Sequence, residues 1–276
     1  MLFWFSLFLS LSSHAYIPEY SLIASRAAEQ HGRGTYLIEQ DVTYKRDAES
    51  FTVKETWLVQ SETSMRVTLE GRGPLKGLVQ GTIIYQGAAK LFADAEQGVR
   101  TQRLGDDWLE PLFHFRYSKY LRDRLVALKV TPPETLKDRA PLNSDGDPQY
   151  TPPGFIRLSR VGGGIAYAIG LPPSMGARST LWIEQDRFVV RKFRNSTQDV
   201  IKADGYFKFD EGFFYPRQRS YTSGGMTVSI QTLQVKALGK SNPTDARFSK
   251  ASLKPERDAL RLPETEGLRE FYLRFR

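Results

Sequence analysis

The 276-residue chain contains no cysteine. That excludes a disulfide scaffold, thiolate zinc and iron–sulfur sites, a cysteine nucleophile and lipid attachment through a thiol. Histidine is almost as scarce, with three residues, which leaves little for a histidine-rich metal centre or a histidine-centred triad. Neither a GxSxG nor an HExxH motif occurs. Gly162-Gly163-Gly164 runs into Ile165 rather than Lys-Ser/Thr, so it reads as a hairpin turn and not a phosphate loop. Asp145-Gly146-Asp147 lacks the bidentate glutamate of a calcium loop and reads as a turn. Carboxylate pairs such as Asp106-Asp107 and Asp210-Glu211 fall at element ends, where acids cap helices. His31 ends a helical pattern beside Gly32, where an imidazolium suits the helix dipole; His114, between Phe113 and Phe115, reads as a packed or half-exposed aromatic. The expectation is a non-enzyme with neither cofactor nor metal. No apolar run reaches the ~20 residues of a membrane-spanning helix.

What is present is an ordinary globular composition, 40% hydrophobic and 25% charged, with 12% aromatics, 15 Pro and 22 Gly that favour β structure with many turns. Lys and Arg outnumber Asp and Glu by 39 to 31, a net charge of +8 that suits anionic partners. The first fifteen residues, MLFWFSLFLSLSSHA, carry an apolar run ending in Ser13 and Ala15. They predict a secretory signal peptide cleaved after Ala15, with an n-region lacking Lys and Arg; an uncleaved buried segment is the alternative. An exported chain without disulfides fits a periplasm. Basic residues interleaved with aromatics, as in Phe115-Arg116-Tyr117, would suit nucleic acid in the cytosol, but export argues against that partner.

Leu22, Ile23, Ala27 and Ala28 recur at helical spacing over residues 19–31. Alternating runs follow at 35–44, 51–59, 65–70, 81–86, 90–93 and 99–104, joined by short polar links as in an antiparallel meander. A second helix is predicted over 106–130, capped by Asp106 or Asp107 and carrying Leu121, Leu125 and Leu128 on one face. Residues 131–154 form a Pro/Asp-rich loop. Strands resume at 155–161, 165–169, 179–184, 187–194, 200–201, 206–209, 213–221 and 226–237. In the last, a phase change between Ile230 and Leu233 predicts a bulge near Thr232. Ten to twelve strands and two helices make the fold mainly β (α+β). A sheet of that many strands curls, and its hollow is filled or left as an apolar cavity. The domains are a signal peptide at 1–15, a body at 16–239 and a basic arm at 240–276. In the arm, Phe271–Arg276 alternates and could add an edge strand or dock on a partner; an arm packed on its own domain is the preferred reading.

The order of these elements, with Gly81-Thr82-Ile83-Ile84-Tyr85-Gln86-Gly87, Leu181-Trp182-Ile183-Glu184, Phe214-Tyr215-Pro216-Arg217 and Gly224-Gly225-Met226-Thr227, resembles the periplasmic outer-membrane lipoprotein carrier (lipoprotein-sorting, LolA/LolB-like) superfamily. The resemblance covers residues 19–238. It implies a curled antiparallel sheet forming a half-open β-barrel with a helical lid, which shields the acyl chains of a lipid or lipoprotein during envelope transport. Trp57, Val67, Leu69, Ile83, Tyr85, Trp182, Phe207 and Ile230 are the candidate acyl contacts, lining a hollow expected to stay unfilled by the chain's own side chains. Arg66 is the nearest match to the family's lid-latching arginine. Arg116, Lys119, Arg122 and Arg124, on the basic face of the second helix, are candidates for contact with an anionic membrane or a membrane-protein partner. The competing readings are a non-transporting adaptor in envelope assembly, which binds a protein through the basic arm and sheet edges, and a hydrolase with an unrecognised carboxylate pair.

Overall fold

The computed structural model describes residues 17–136, 154–172, 178–240, 242 and 245–276. The predicted signal peptide and its cleavage point, most of the 131–154 loop with Asp145-Gly146-Asp147, and part of the link between the strands predicted at 165–169 and 179–184 lie outside the described residues. Thirteen strands form one antiparallel sheet: β1 (Gly34–Arg46), β2 (Glu49–Ser61), β3 (Ser64–Arg72), β4 (Gln80–Gln86), β5 (Ala89–Asp94), β6 (Gly98–Arg103), β7 (Ile156–Val161), β8 (Gly164–Ile169), β9 (Thr180–Glu184), β10 (Val190–Arg194), β11 (Val200–Lys208), β12 (Phe214–Ser223) and β13 (Met226–Lys240). The order is β6-β5-β4-β3-β2-β1-β13-β12-β11-β10-β9-β8-β7, so two meanders meet where β1 pairs with β13, and the edges β6 and β7 stay apart. The sheet curls without closing, a half-open barrel with a helical lid. Curling follows from strand number, since twisted open sheets beyond ~10 strands seldom stay flat. A bulge adds to it: Glu39 pairs with Gln234 but Gln40 with Thr232, leaving Leu233 unpaired, where the sequence places the phase change.

Register sorts the side chains into two faces. Tyr36–Val59–Met65–Tyr85–Lys90, Ile38–Trp57–Val67–Ile83–Phe92 and Gln40–Glu55–Leu69–Gly81 form rows across β1 to β5 on the concave side. Leu37–Leu58–Arg66–Ile84–Leu91 forms a row on the outer side. Helix α1 (Tyr20–Glu29) buries Ile23, Ala24 and Ala27 and packs beside α2 (Ser118–Ala127), which buries Leu121 and Leu125.

The second predicted helix is shorter than its pattern. Residues 110–113 make one 3-10 turn, the chain extends through Tyr117, and only then does α2 begin. Pro111 and the apolar run Leu112-Phe113-His114-Phe115 explain the break: all five are buried, which a helix exposing one face to water could not achieve. Asp107 therefore caps nothing and pairs with Arg274 at 3.0 Å.

The arm packs on its own domain, as the preferred reading has it, but along a path and in a conformation that the sequence does not give. After Asp245 it passes over the outer face of β2–β5 in short turns and one helical turn, α3 (Pro255–Asp258). Leu253 packs there on Ile84 and Leu91. It crosses the sheet where Ala259 bridges Ala93 and Arg261 bridges Gln80. It then ends not in an edge strand but in α4 (Glu266–Arg274), with Leu268, Phe271, Tyr272 and Phe275 buried in the main core. Those four fall at i, i+3, i+4 and i+7, one helical stripe. The alternation seen from Phe271 onward omits Leu268 and so mistakes the period.

Candidate functional site

The concave face is the candidate site. Of the eight proposed acyl contacts, Trp57, Val67, Leu69, Ile83, Tyr85 and Ile230 lie in the main core on that face. Trp182 packs instead with Ala166 and Ala168 beneath Lys192 and Arg194, whose cations lie 4.7 and 5.7 Å from its ring. Phe207 is half exposed, against Phe209 and Arg217. Positive φ at Gly205 marks the local irregularity in β11, which neighbouring Tyr206 exploits by turning its hydroxyl to the Val190 carbonyl.

Among the described residues, the chain itself occupies the expected hollow. Trp108 stacks on Tyr85 at 4.0 Å, and both lie parallel to Trp57. Phe113 and Phe115 follow from the same segment. Phe271 and Phe275, from α4, pack against Tyr221. This corrects the picture of an empty apolar cavity: the face has the right lining, and two segments outside the sheet occupy it.

At its centre lies a closed ring of five buried side chains that the sequence reading missed. Gln40 Nε2 donates to Glu55 at 2.6 Å, and Arg276 Nε donates to Glu55 at 3.0 Å. Arg276 Nη1 donates to Glu110 at 3.0 Å. Arg219 donates to both Glu110 oxygens at 2.7 and 2.8 Å and returns to Gln40 Oε1 at 2.7 Å. Trp57 Nε1 adds a donor to Glu55 and the Tyr215 hydroxyl one to Glu110. Two carboxylates balance two guanidiniums, so the ring is neutral overall. Burial alone would push Glu110 up, but Arg219 and Arg276 outweigh it and hold the carboxyl well below its ordinary range. Burial likewise opposes the charge of Arg276, and Glu55 and Glu110 overcome it, raising its pKa well above the usual value. Saturated by donors, the two glutamates serve as charge partners.

Lys90, on the concave side of β5, donates to the main-chain oxygens of Tyr272 at 3.3 Å and Arg276 at 2.6 Å. Burial lowers its pKa from 10.5 to about 8. His31 is not the solvated imidazolium of a helix end: burial lowers its pKa to about 3, and the ring nitrogen Nδ1 meets the Phe115 carbonyl at 2.5 Å as a neutral donor. His114 is a packed aromatic, stacked on Phe213 and Tyr215.

Arg66 lies on the outer face. It donates to the Arg247 carbonyl at 3.0 Å and to Ser252 at 2.9 Å, so its partners belong to the arm. Arg116, in the extended segment before α2, reaches the Gly34 carbonyl; on α2, Arg124 reaches the carbonyls of Asp106 and Trp108 and Lys119 its neighbour Asp123, and Arg122 is partly buried. Among the described residues no cluster of three or more His, Asp or Glu has metal-binding geometry, and no helix is long and apolar enough to cross a membrane.

With this geometry in hand, the chain has a LolA-like half-open barrel fold. It is similar to a LolA superfamily protein from Nitrosomonas europaea, at 12% identity and TM-score 0.52, covering 86% of this chain and all of the other. An outer-membrane lipoprotein-sorting protein domain from Vibrio parahaemolyticus matches at 10% identity and TM-score 0.50, over 84% of this chain and 97% of that one. A DUF1329 family protein from Desulfovibrio piger matches at 13% and 0.52, over 85% and 97%. No family model matches the sequence, and no curated protein does.

Proposed function

We propose that the protein is a periplasmic carrier whose concave face shields the acyl chains of a lipid or lipoprotein during envelope transport. One observation carries this reading. A single, mostly apolar face spanning β1–β5 and β8–β13 is covered by elements outside the ladder (α1, the 108–115 segment and α4) rather than by a second sheet. Sheet-on-sheet packing would fix such an interior permanently, whereas elements outside the hydrogen-bonded ladder can leave while it persists. Trp57, Val67, Leu69, Ile83, Tyr85 and Ile230 would contact the chain, at about 0.8 kcal/mol per buried CH2. The likeness to lipoprotein-sorting folds supports the same reading. The test is purification without detergent, lipid extraction and mass spectrometry, with a fluorescent fatty acid as an uptake probe. Neither co-purified lipid nor uptake would reject it.

The filled interior favours one alternative, a non-transporting envelope adaptor that engages a membrane-protein partner through the arm and the sheet edges. Removing 240–276 separates the two: a carrier keeps or gains lipid binding, and an adaptor loses its partner.

A further inference from the structure

Residues 262–276 behave chemically as a guest on the concave face. Beyond the bridges at Ala259 and Arg261, no backbone–backbone hydrogen bond joins them to a strand among the described residues; α4 closes on itself, with Arg269 N–H on Thr265 and Phe275 N–H on Phe271. The ladder is complete without them. Side chains hold them instead. Leu268, Phe271, Tyr272 and Phe275 supply an apolar stripe. The Arg276 guanidinium sits between Glu55 and Glu110 and over the rings of Trp57, Tyr221 and Phe271 at 5.2, 5.5 and 4.9 Å. Lys90 donates to the main-chain oxygens of Tyr272 and Arg276, and Arg274 pairs with Asp107 and Asp199 at the rim. A helix of nine residues is marginal in water on its own, so the seat orders it. This is recognition of an amphipathic helix in a groove, with a cation pocket at one end.

We infer that the concave face is a binding seat for an arginine-bearing amphipathic helix, filled in cis by residues 262–276, and that this occupant and an acyl chain exclude one another. The exclusion rests on the carrier reading; the peptide seat does not. Both guests need Trp57, over whose ring the Arg276 guanidinium lies. An acyl chain matches the stripe but offers no cation to Glu55, so the guanidinium sets the advantage of the cis occupant, and its removal tips the exchange.

The test uses the full chain, a fluorescent palmitic acid and a synthetic 262–276 peptide. Arg276→Ala should bind the fatty acid at least tenfold more tightly than the unaltered chain. Excess peptide should displace the probe, and a peptide carrying the same substitution should be at least tenfold weaker. In the unaltered chain, saturation with the probe should speed hydrogen exchange of amides 266–275 and leave β2–β4 unchanged; this measurement decides alone if the variant fails to fold. Equal probe binding by both chains, with 266–275 as protected as β2–β4, overturns the seat and leaves the carrier standing. Peptide binding to the variant without probe binding by any form upholds the seat and removes the carrier.

Discussion

Replacing Glu110 with Gln keeps the size and shape of the side chain and deletes one buried charge. The carboxylate accepts from Arg219 twice, from Arg276 and from Tyr215, all fully buried. Opposite charges about 4 Å apart attract by roughly 4 kcal/mol at an effective dielectric near 20, while desolvation costs several kcal/mol per ion. The intact ring is therefore close to neutral for stability. Breaking it is not, because Glu55 alone then faces two buried guanidiniums. The expected loss for Glu110→Gln is about 3–5 kcal/mol, read as a shift of the urea midpoint at unchanged slope. The control is Asp123→Asn, which breaks an exposed pair with Lys119 and should cost less than about 0.5 kcal/mol. In a double-mutant cycle, Glu110→Gln with Arg219→Met should show a coupling of about 1–3 kcal/mol. A loss for Glu110→Gln no larger than that of the control would refute the view that the ring is a dry, fully coupled unit.

Three further outcomes are expected. Lys90 has a folded pKa of about 8 against an ordinary 10.5, so the unfolded chain binds more protons between these values. Stability should rise by about 2 kcal/mol from pH 7.5 to 9.5 and not in Lys90→Met, with buried tyrosines pulling the other way above pH ~10. His31, neutral in the fold down to about pH 3, favours folding fully above pH 6.5, and that contribution is lost as pH falls toward 3; His31→Gln, which keeps a donor for Phe115, should flatten the acid limb of a denaturation profile. Gly81 has φ +136° and lies against the arm, where a Cβ would come within 2.6 Å of Leu260 Cα. Gly81→Ala should cost roughly 1–3 kcal/mol and hasten proteolysis between residues 259 and 276, and equal protease resistance would count against the arm crossing there.

The sheet was largely legible because period-2 patterning and turn chemistry are local. The alternation Phe51, Val53, Glu55, Trp57, Val59 gives the face and its residues directly. The same run carried the missed signal: Glu55 occupies an inward position on an apolar face, which is costly unless a partner meets it. The partner could not be read. Arg276 is 221 positions away and Glu110 lies in a turn that looked like a helix start. Register also decides inside from outside, so Trp182 was misassigned by parity and Phe207 by the irregularity at Gly205. Net charge was informative only as a total, because the cations on and before α2 chosen for a membrane are largely committed to carbonyls and to Asp123 within the fold.

The path of the arm explains how an open sheet of thirteen strands holds its curl without a closing seam. The same segment lies on both faces of the β2–β5 wing. Outside, Arg66 and Thr82 hold its turns through Arg247, Ser252 and Asp258. Inside, Lys90, Glu55 and Glu110 hold Arg276. Between them, the chain crosses against the bare backbone of Gly81, where any side chain would hold it off. A clamp of this kind resists flattening, since uncurling the wing would lengthen the inner path relative to the outer one and strain both sets of bonds. Within the arm only the inner set contacts the main core, so releasing it would loosen the curl and uncover the part of the lining beneath α4, leaving the part beneath Trp108 covered, while the outer set keeps the arm attached and ready to return.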